Sequence, residues 1–374
     1  MIRRIFFITG TRADFGKLKP LIKAMQNDKE LEPYIFVTGM HMYPKYGFTG
    51  EEVAGCGFKN IFNYINQKPN DSMDTILANT ILGLSNYLVI QKPDMVVIHG
   101  DRVEALAGAI VGALNNIIVA HIEGGEISGT IDESIRHAVS KLAHLHFVSN
   151  NQAKKRLLQM GESERNIYVI GSPDIDLMLS PDLISISEVK RHYDIPFKRY
   201  AILAYHPVTT SLHALIKNTR ELLKAVIDSG ENYVVIYPNN DPGADIILEE
   251  YAMLKNNSQL RIFPSIRFEY FLTLLKNCEF IIGNSSAGIR EAPFYAVPTI
   301  NVGSRQKGRF SYETIIDVDD SAEAILAAVG RVKKVKGVSS NHFGDGKSSE
   351  KFLKVLREDQ TWNVTIQKFF MDRV

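Results

Sequence analysis

The sequence predicts an α/β protein with two doubly wound parallel sheets, one in each of two domains. Short apolar runs rich in β-branched residues alternate with helical segments along the chain, as parallel βαβ units require. At 374 residues the chain is long for a single hydrophobic core, so two domains are expected. Gly171-Ser172-Pro173 interrupts the alternation, and we therefore predict domains at residues 1–172 and 173–360.

The first domain contains seven predicted strands and the helices between them. Apolar runs predict the strands at residues 4–9, 34–37, 62–65, 95–98, 117–121, 145–149 and 167–170. Helices are predicted at 72–90, 103–114 and 151–160, with one ending near residue 25 and one beginning near Asp132. The loop 39–50 is rich in glycine and aromatic residues and is expected to act as a mobile lid.

The second domain repeats the pattern with five predicted strands. They lie at residues 200–204, 233–237, 260–263, 280–282 and 299–302, separated by helices. Residues 173–185 contain two prolines and are expected to be irregular, and residues 337–348 are expected to form a surface loop. Residues 361–374 are predicted to form an amphipathic helix.

Composition excludes several classes of function. The formal net charge is +1, so no overall field attracts nucleic acid or an anionic membrane. Cys56 and Cys278 are the two cysteines, which suits a reducing compartment and no disulfide framework. The apolar start is too short for a signal peptide, and no stretch reaches the roughly 18 uncharged apolar residues of a membrane span. These features predict a soluble cytoplasmic protein.

Polar segments follow directly after seven of the predicted strands. They are residues 10–12, 99–102, 121–125, 171–172, 206–207, 238–240 and 283–286. Ligands of open parallel sheets bind beyond the carboxyl ends of the strands, so these segments are predicted to line one edge of each sheet. Loops are polar in any protein, but this concentration of Gly, His, Arg and carboxylates favours a binding cleft between two facing sheets.

Residues 121–137 are the densest of these segments. Glu123, Glu126, Asp132 and Glu133 occur there with one arginine and two histidines. Carboxylates this close repel one another, which is expected to raise the pKa of at least one. That is a common basis for an acid and a base working at one pH. The alternative is a helix cap with solvated acidic residues.

Residues 283–288, GNSSAG, predict a phosphate site, because small residues let an anion approach a helix N-terminus and serine hydroxyls add donors. A plain serine cap is the alternative.

Arg12 and Lys17 mark a second cationic strand-to-helix turn, which has neither the P-loop nor the dinucleotide fingerprint. His206, followed by Pro207, is a possible donor to a leaving diphosphate, and no spacing resembles a standard metal site.

Together these motifs resemble a known family. They are GTRADFGKLKP (10–20), HGDRVEALA (99–107), HIEGGEISGTIDESIRHAVSKLAH (121–144), HPVTT (206–210), YPNND (237–241), SIRFEYF (265–271) and GNSSAGIREAP (283–293). Over essentially the whole chain they resemble the hydrolysing UDP-N-acetylglucosamine (UDP-GlcNAc) 2-epimerases of bacterial sialic acid and capsule synthesis. Non-hydrolysing relatives typically carry H-x-E-A-G-L-R-T where this chain has HIEGGE from His121, which favours the hydrolysing type.

The resemblance implies two Rossmann-like domains arranged as in GT-B glycosyltransferases, with the active site in the interdomain cleft. The C-terminal segment 361–374 would pack back on the first domain. Asp101, Glu123 and Asp132 match the catalytic carboxylates, and His206 matches a cleft histidine. The expected substrate-binding residues are Arg12, Lys17, Arg102, Glu126, Arg136, Asn239, Arg267, Ser285, Ser286, Glu291 and Arg305. No cofactor or metal is expected. The protein is expected to form a homodimer or a homotetramer.

The implied reaction is UDP-GlcNAc plus water giving N-acetylmannosamine (ManNAc) plus UDP. Which carboxylate acts as acid and which as base stays open. Three alternatives also stay open. They are the same chemistry on UDP-N,N′-diacetylbacillosamine for legionaminic acid synthesis, a GT-B glycosyltransferase, and a catalytically silent nucleotide-sugar sensor.

Overall fold

The structure is a computed structural model that describes residues 2–69 and 71–371. Within these residues the chain forms two compact units. Unit 1 comprises residues up to 126, residues 132–180 and residues from 342 onward, and unit 2 comprises residues 127–131 and 181–341.

Unit 1 contains a sheet of seven parallel strands. They are β1 (Arg3–Thr9), β2 (Leu31–Val37), β3 (Asn60–Asn63), β4 (Met95–His99), β5 (Ile118–Ile122), β6 (Leu145–Val148) and β7 (Ile167–Val169). Their order is 3-2-1-4-5-6-7, so the winding reverses between β1 and β4. A ligand crevice is expected at such a reversal.

The helices of unit 1 cover both faces of this sheet. They are α1 (Arg12–Met25), α2 (Gly50–Ala54), α3 (Met73–Gln91), α4 (Val103–Leu114), α5 (Ile131–Leu142), α6 (Asn151–Gln159) and α7 (Pro173–Met178), with α14 (Ser348–Leu356) and α15 (Asp359–Trp362) near the end of the chain. Phe7 and Val97 belong to one buried cluster, and their neighbours Phe6 and Val96 belong to another. Burial on both faces explains why these strands are continuous apolar runs.

Unit 2 repeats the architecture with six parallel strands. They are β8 (Ala201–Ala204), β9 (Tyr233–Ile236), β10 (Leu260–Phe263), β11 (Ile281–Gly283), β12 (Thr299–Val302) and β13 (Ile315–Val318), in the order 10-9-8-11-12-13. The helices are α8 (Ile186–His192), α9 (Leu215–Asp228), α10 (Ala244–Met253), α11 (Phe268–Lys276), α12 (Glu291–Phe294) and α13 (Ala322–Val332). Two Rossmann-like units confirm the predicted fold class.

Strand β13 and helix α7 were not predicted from the sequence. Strand β13 is an edge strand whose residues are at most half-buried, so it lacks the strong apolar run that marks a central strand. Helix α7 lies in the segment expected to be irregular. Its proline occupies the first turn, where the missing N–H has no helical partner in any case.

The C-terminal part of the chain departs from the prediction. Residues 342–360 were assigned to the second domain, but Phe352 and Leu356 of α14 lie in the core of unit 1. The predicted helix at 361–374 is wrong for residues 363–371, where no helix is present, and residues 372–374 lie outside the described residues. Val364 and Ile366 pack against the core of unit 1, and a two-residue spacing of apolar side chains suits extended chain.

The segment expected to be a lid is folded against unit 1. It forms two short 3-10 turns and the start of α2. His41 is fully buried, with its ring 3.0 Å from Thr9 Oγ1 and 2.6 Å from Thr49 Oγ1. These contacts attach the segment to the end of β1.

Helix α3 is long and apolar enough, by length and composition alone, to cross a membrane. It packs on α4 and buries Leu84 and Leu88 in the core of unit 1. A helix of a globular domain has these same properties.

Candidate functional site

Glu123 is the centre of a polar cluster at the carboxyl end of the sheet in unit 1. It directly follows β5 and has a φ of +64°, a left-handed conformation uncommon for a residue with a side chain. Its carboxylate lies 3.1 Å from His99 Nε2 and 3.3 Å from Lys17 Nζ, and it accepts a hydrogen bond from the Ser172 hydroxyl. Strained backbone with a buried, multiply contacted carboxylate is characteristic of functional sites.

Lys17 joins this cluster to a second carboxylate. It comes from α1, is 7% exposed, and lies 3.2 Å from Asp174 in α7. From the sequence, Lys17 was expected to bind substrate from a cationic strand-to-helix turn, and the structure pairs it with Glu123 and Asp174. The Lys17 ammonium therefore lies between two buried carboxylates.

Asp101 has a separate cationic partner. It follows β4 and forms an ion pair with Arg136 of α5, which also donates a 3.1 Å hydrogen bond from Nη1 to the Glu126 carbonyl. Arg136 is 1% exposed, and the buried Glu126 carboxylate accepts a hydrogen bond from Ser149. Arg136 and Glu126, expected to bind substrate, are therefore enclosed and shape the site from inside. Glu123 and Asp101 therefore each have their own cationic partner.

Asp132 lies in the first turn of α5, four residues before Arg136 and thus on the same side of the helix. Glu133 in the same turn is half-exposed and lies 3.4 Å from His137. The third predicted catalytic carboxylate therefore stands on the element that holds Asp101.

The turn at residues 10–12 is filled by the protein's own carboxylate. The backbone N–H groups of Gly10 and Thr11 each donate a 2.9 Å hydrogen bond to Asp14. Arg12 forms an ion pair with Glu52 of α2, with 2.9 Å between Nε and Oε2. The amides of Gly10 and Thr11 are thus used within the protein.

His206 anchors a polar cluster in unit 2. Its backbone N–H donates to Asn284 Oδ1 at 2.7 Å, and Asn284 Nδ2 donates to its carbonyl at 2.9 Å. The backbone N–H of Asn239 donates to His206 Nδ1 at 3.2 Å. Because Nδ1 accepts, the neutral ring carries its proton on Nε2, which can donate to a ligand oxygen.

The serine segment adjoins this cluster. Arg305 Nη1 and Gln306 Nε2 donate to the Asn284 carbonyl at 3.2 and 3.0 Å, so Arg305 lies beside the cluster. The predicted helix after Ser285 is wrong. A 3-10 turn, Ser286–Gly288, precedes the four-residue α12, which begins at the buried Glu291. The serine hydroxyls are therefore the expected donors to an anion, and no long helix adds its dipole at this position.

Some predicted residues are not joined to these clusters by a described contact. Arg267 lies 3.5 Å from Glu269 and stacks over Tyr270. Arg102 lies 3.4 Å from Glu104. Among the residues that the structure describes, no group of three or more His, Cys, Asp or Glu side chains is arranged to hold a metal ion.

Sequence reasoning missed several residues of the unit 1 site. They are His99, His121, Ser172 and Asp174. Three of them, His99, His121 and Ser172, lie in the polar segments after strands, so position in the sheet was a usable signal. Asp174 sits on the helix that was expected to be irregular chain, and nothing local marked it.

The chain matches a family model described as UDP-N-acetylglucosamine 2-epimerase over residues 23–357. A UDP-N-acetylglucosamine 2-epimerase of Neisseria meningitidis serogroup B is 49% identical over 99% of each chain. A hydrolyzing UDP-N,N′-diacetylbacillosamine 2-epimerase of Legionella pneumophila is 34% identical over 96% of each chain. A solved UDP-GlcNAc 2-epimerase from Neisseria meningitidis, bound to UDP-GlcNAc, has the same fold, with a TM-score of 0.80 and 21% identity over 94% of this chain and 99% of that one.

Proposed function

Because this chain belongs to the UDP-N-acetylglucosamine 2-epimerase family, we propose that it is an enzyme of the hydrolysing type, which converts UDP-GlcNAc and water to ManNAc and UDP for sialic acid synthesis. The observation that carries the proposal is the cluster of Glu123, His99 and Lys17, with Asp101 at the neighbouring strand end. It supplies the acid and base groups that epimerisation at C2 requires.

The chemistry explains why several carboxylates are needed. The C2 proton of the sugar is not acidic, because no carbonyl group is adjacent to C2. As the C1–O bond to UDP breaks, positive character at C1 makes this proton removable. One carboxylate takes the proton and leaves 2-acetamidoglucal. Water then adds at C1 while a proton arrives at C2 from the opposite face, and Asp101, Glu123 and Asp132 provide the groups for both steps.

The diphosphate is assigned to groups of unit 2. His206 has an Nε2 proton to donate, and the hydroxyls of Ser285 and Ser286 add donors in the adjoining turn. Such donors stabilise charge on the leaving UDP. In unit 1, Arg12 is the further expected contact for the nucleotide. No redox group or metal is chemically required by this route.

The test is an incubation of the protein with UDP-GlcNAc in deuterated water, followed by proton NMR. Free UDP with ManNAc deuterated at C2 supports hydrolysing epimerisation. UDP-ManNAc without free UDP contradicts the hydrolysing type and assigns the non-hydrolysing one. Transfer to an added acceptor sugar without C2 exchange contradicts epimerisation and assigns a glycosyltransferase, and binding without turnover assigns a sensor.

Glu123→Gln tests the role of the central carboxylate. The variant should bind UDP as the wild type does and lose turnover by a factor on the order of 10² or more, because a proton-transferring carboxylate is removed while the shape of the side chain is kept. Glu133→Gln is the matched control, since this glutamate pairs with His137 outside the cluster. Unchanged turnover in Glu123→Gln would remove Glu123 from the mechanism. Ser286→Ala should instead weaken nucleotide binding.

A second candidate substrate is UDP-N,N′-diacetylbacillosamine, favoured by the 34% identity to the Legionella pneumophila enzyme named for it. The two sugars differ at C4 and C6, so the chemistry at C1 and C2 is the same. Comparing kcat/KM for both nucleotide sugars decides between them.

We further place the enzyme in the cytoplasm as a homodimer or homotetramer. The near-neutral charge and two cysteines suit that compartment. Light scattering of the purified protein, which gives its mass against 42.0 kDa per chain, tests the oligomeric state. Fractionation of cells tests the location.

A further inference from the structure

His121 lies at the centre of a hydrogen-bond network beneath the carboxylates of unit 1. It is fully buried on β5. Its Nε2 lies 2.8 Å from the Gly100 carbonyl oxygen and its Nδ1 lies 3.1 Å from Ser140 Oγ. Since a carbonyl only accepts, Nε2 carries the proton and Nδ1 accepts the serine hydroxyl. Both ring nitrogens are therefore used inside the protein.

The Gly100 carbonyl is a sensitive point, because Gly100 connects two residues of the site. His99 on one side contacts Glu123, and Asp101 on the other side contacts Arg136. Gly100 has a φ of +72° and donates its N–H to the Ile122 carbonyl at 3.0 Å. Both backbone groups of Gly100 are thus held by β5, the strand that ends at Glu123.

Ser140 extends the network to a third element. It lies on α5, one turn after Arg136, so its hydrogen bond with His121 ties this helix to β5. Gly124 packs directly against this contact. A Cβ there would lie 2.8 Å from His121 Nδ1 and 3.0 Å from Ser140 Oγ. The glycine after Glu123 is therefore required by the packing of the imidazole against the serine.

We propose that His121 is a positioning residue that sets the distance between Asp101 and Glu123 by joining the β4 turn, β5 and α5 through Gly100 and Ser140. It contacts no substrate, because it is fully enclosed. Its effect on the reaction is transmitted through the backbone of Gly100. The role in turnover rests on the proposed function, whereas the effect on the turn does not.

The experiment compares His121→Leu with His121→Gln. Glutamine can present an N–H near the position of Nε2, whereas leucine keeps the bulk and removes the donor. In His121→Leu, kcat for UDP-GlcNAc should fall at least about tenfold with KM little changed, since a displacement of about 1 Å can reduce a rate about 10²-fold. His121→Gln should recover most of this loss. Hydrogen exchange of the Gly100 amide should be faster in the leucine variant only.

His146→Leu is the matched control. His146 is the register partner of His121 on β6, is 1% exposed, and contacts Glu162 instead of Gly100. Its replacement should lower stability while leaving kcat and Gly100 exchange unchanged. Gly124→Ala disturbs the His121–Ser140 contact without replacing His121. This variant takes the place of His121→Leu in the test if His121→Leu does not fold.

Slower turnover with faster Gly100 exchange in the leucine or Gly124→Ala variant supports the proposal. A folded leucine or alanine variant with wild-type kcat and wild-type exchange overturns it, and so does an equal loss of kcat in His146→Leu. Wild-type protein without turnover would refute the proposed function alone, because Gly100 exchange still decides whether His121 holds the turn.

Discussion

Acidification from about pH 7.5 to about pH 5 should destabilise unit 1 by about 4 kcal/mol through two buried histidines. Burial lowers the pKa of His121 to about 3, and the hydrogen bond to Gly100 opposes this only in part. Burial likewise lowers the pKa of His41 to about 4. The ordinary value is 6.5. Between the two values the unfolded chain binds a proton that the folded chain does not, so acid favours unfolding.

The magnitude follows from the distance between the working pH and the unfolded value. Each pH unit below that value costs about 1.4 kcal/mol per histidine. At about pH 5 each therefore costs about 2 kcal/mol, and the result is the same for a folded pKa of 3 or 4, because both lie below the working pH. Glu162 does not add to this loss at about pH 5. Burial would raise its pKa, but His146, Lys141 and Lys368 hold it at about 2, so its contribution is lost only in stronger acid.

Urea unfolding followed by circular dichroism at both pH values measures the effect. In His121→Gln the difference between the two free energies of unfolding should be smaller than in wild type by about 2 kcal/mol. His213→Gln is the control, because His213 is exposed in the folded protein and solvated in the unfolded chain. The same pH dependence in wild type and His121→Gln would refute the reasoning.

Two further substitutions test how the site is supported. Gly39→Ala should destabilise by about 2–4 kcal/mol, because φ is +62° and a Cβ would lie 2.7 Å from a backbone carbonyl oxygen. Gly47→Ala, with φ at +87° and no atom within 4 Å of the added Cβ, should cost only the backbone strain of about 1–2 kcal/mol. Equal losses of the free energy of unfolding in urea for the two variants would show that the close contact at Gly39 contributes nothing. Lys368→Ala should cost about 1–3 kcal/mol, since its ammonium donates to the Ala143 carbonyl at 2.6 Å and pairs with Glu162. Lys351→Ala removes an exposed pair and should cost under about 1 kcal/mol. A similar thermal shift in both lysine variants would contradict the larger contribution expected of Lys368.

Much of the fold could be predicted from local sequence. The predicted helix 103–114 and the strands 260–263 and 299–302 have the observed bounds of α4, β10 and β12. Apolar periodicity and strand length are properties of neighbouring residues, so the sequence contains them directly. Edge strand β13 and the extended tail escaped prediction because little of β13 is buried and because apolar alternation in the tail was taken for a helix.

The segments that contain the site could be predicted from the sequence. The rule that ligands bind beyond the carboxyl ends of parallel strands indicated the segments containing Asp101, Glu123 and His206. It did not indicate which charges meet. Lys17 was predicted to bind substrate, and the structure places it beside Glu123, from which it is separated by 106 positions in the chain.

The sequence by itself determined the alternation of strands and helices, the division into two sheets, and the edge of each sheet where functional groups collect. The tertiary structure alone decided which cation Glu123 and Asp101 each have, that His121 contacts the Gly100 carbonyl before Asp101, and that residues 342–371 complete unit 1. The physical reason is the separation along the chain over which each kind of interaction acts. Hydrogen bonding within elements and apolar periodicity act over a few residues, whereas ion pairs and core contacts join residues that only the packed fold brings together.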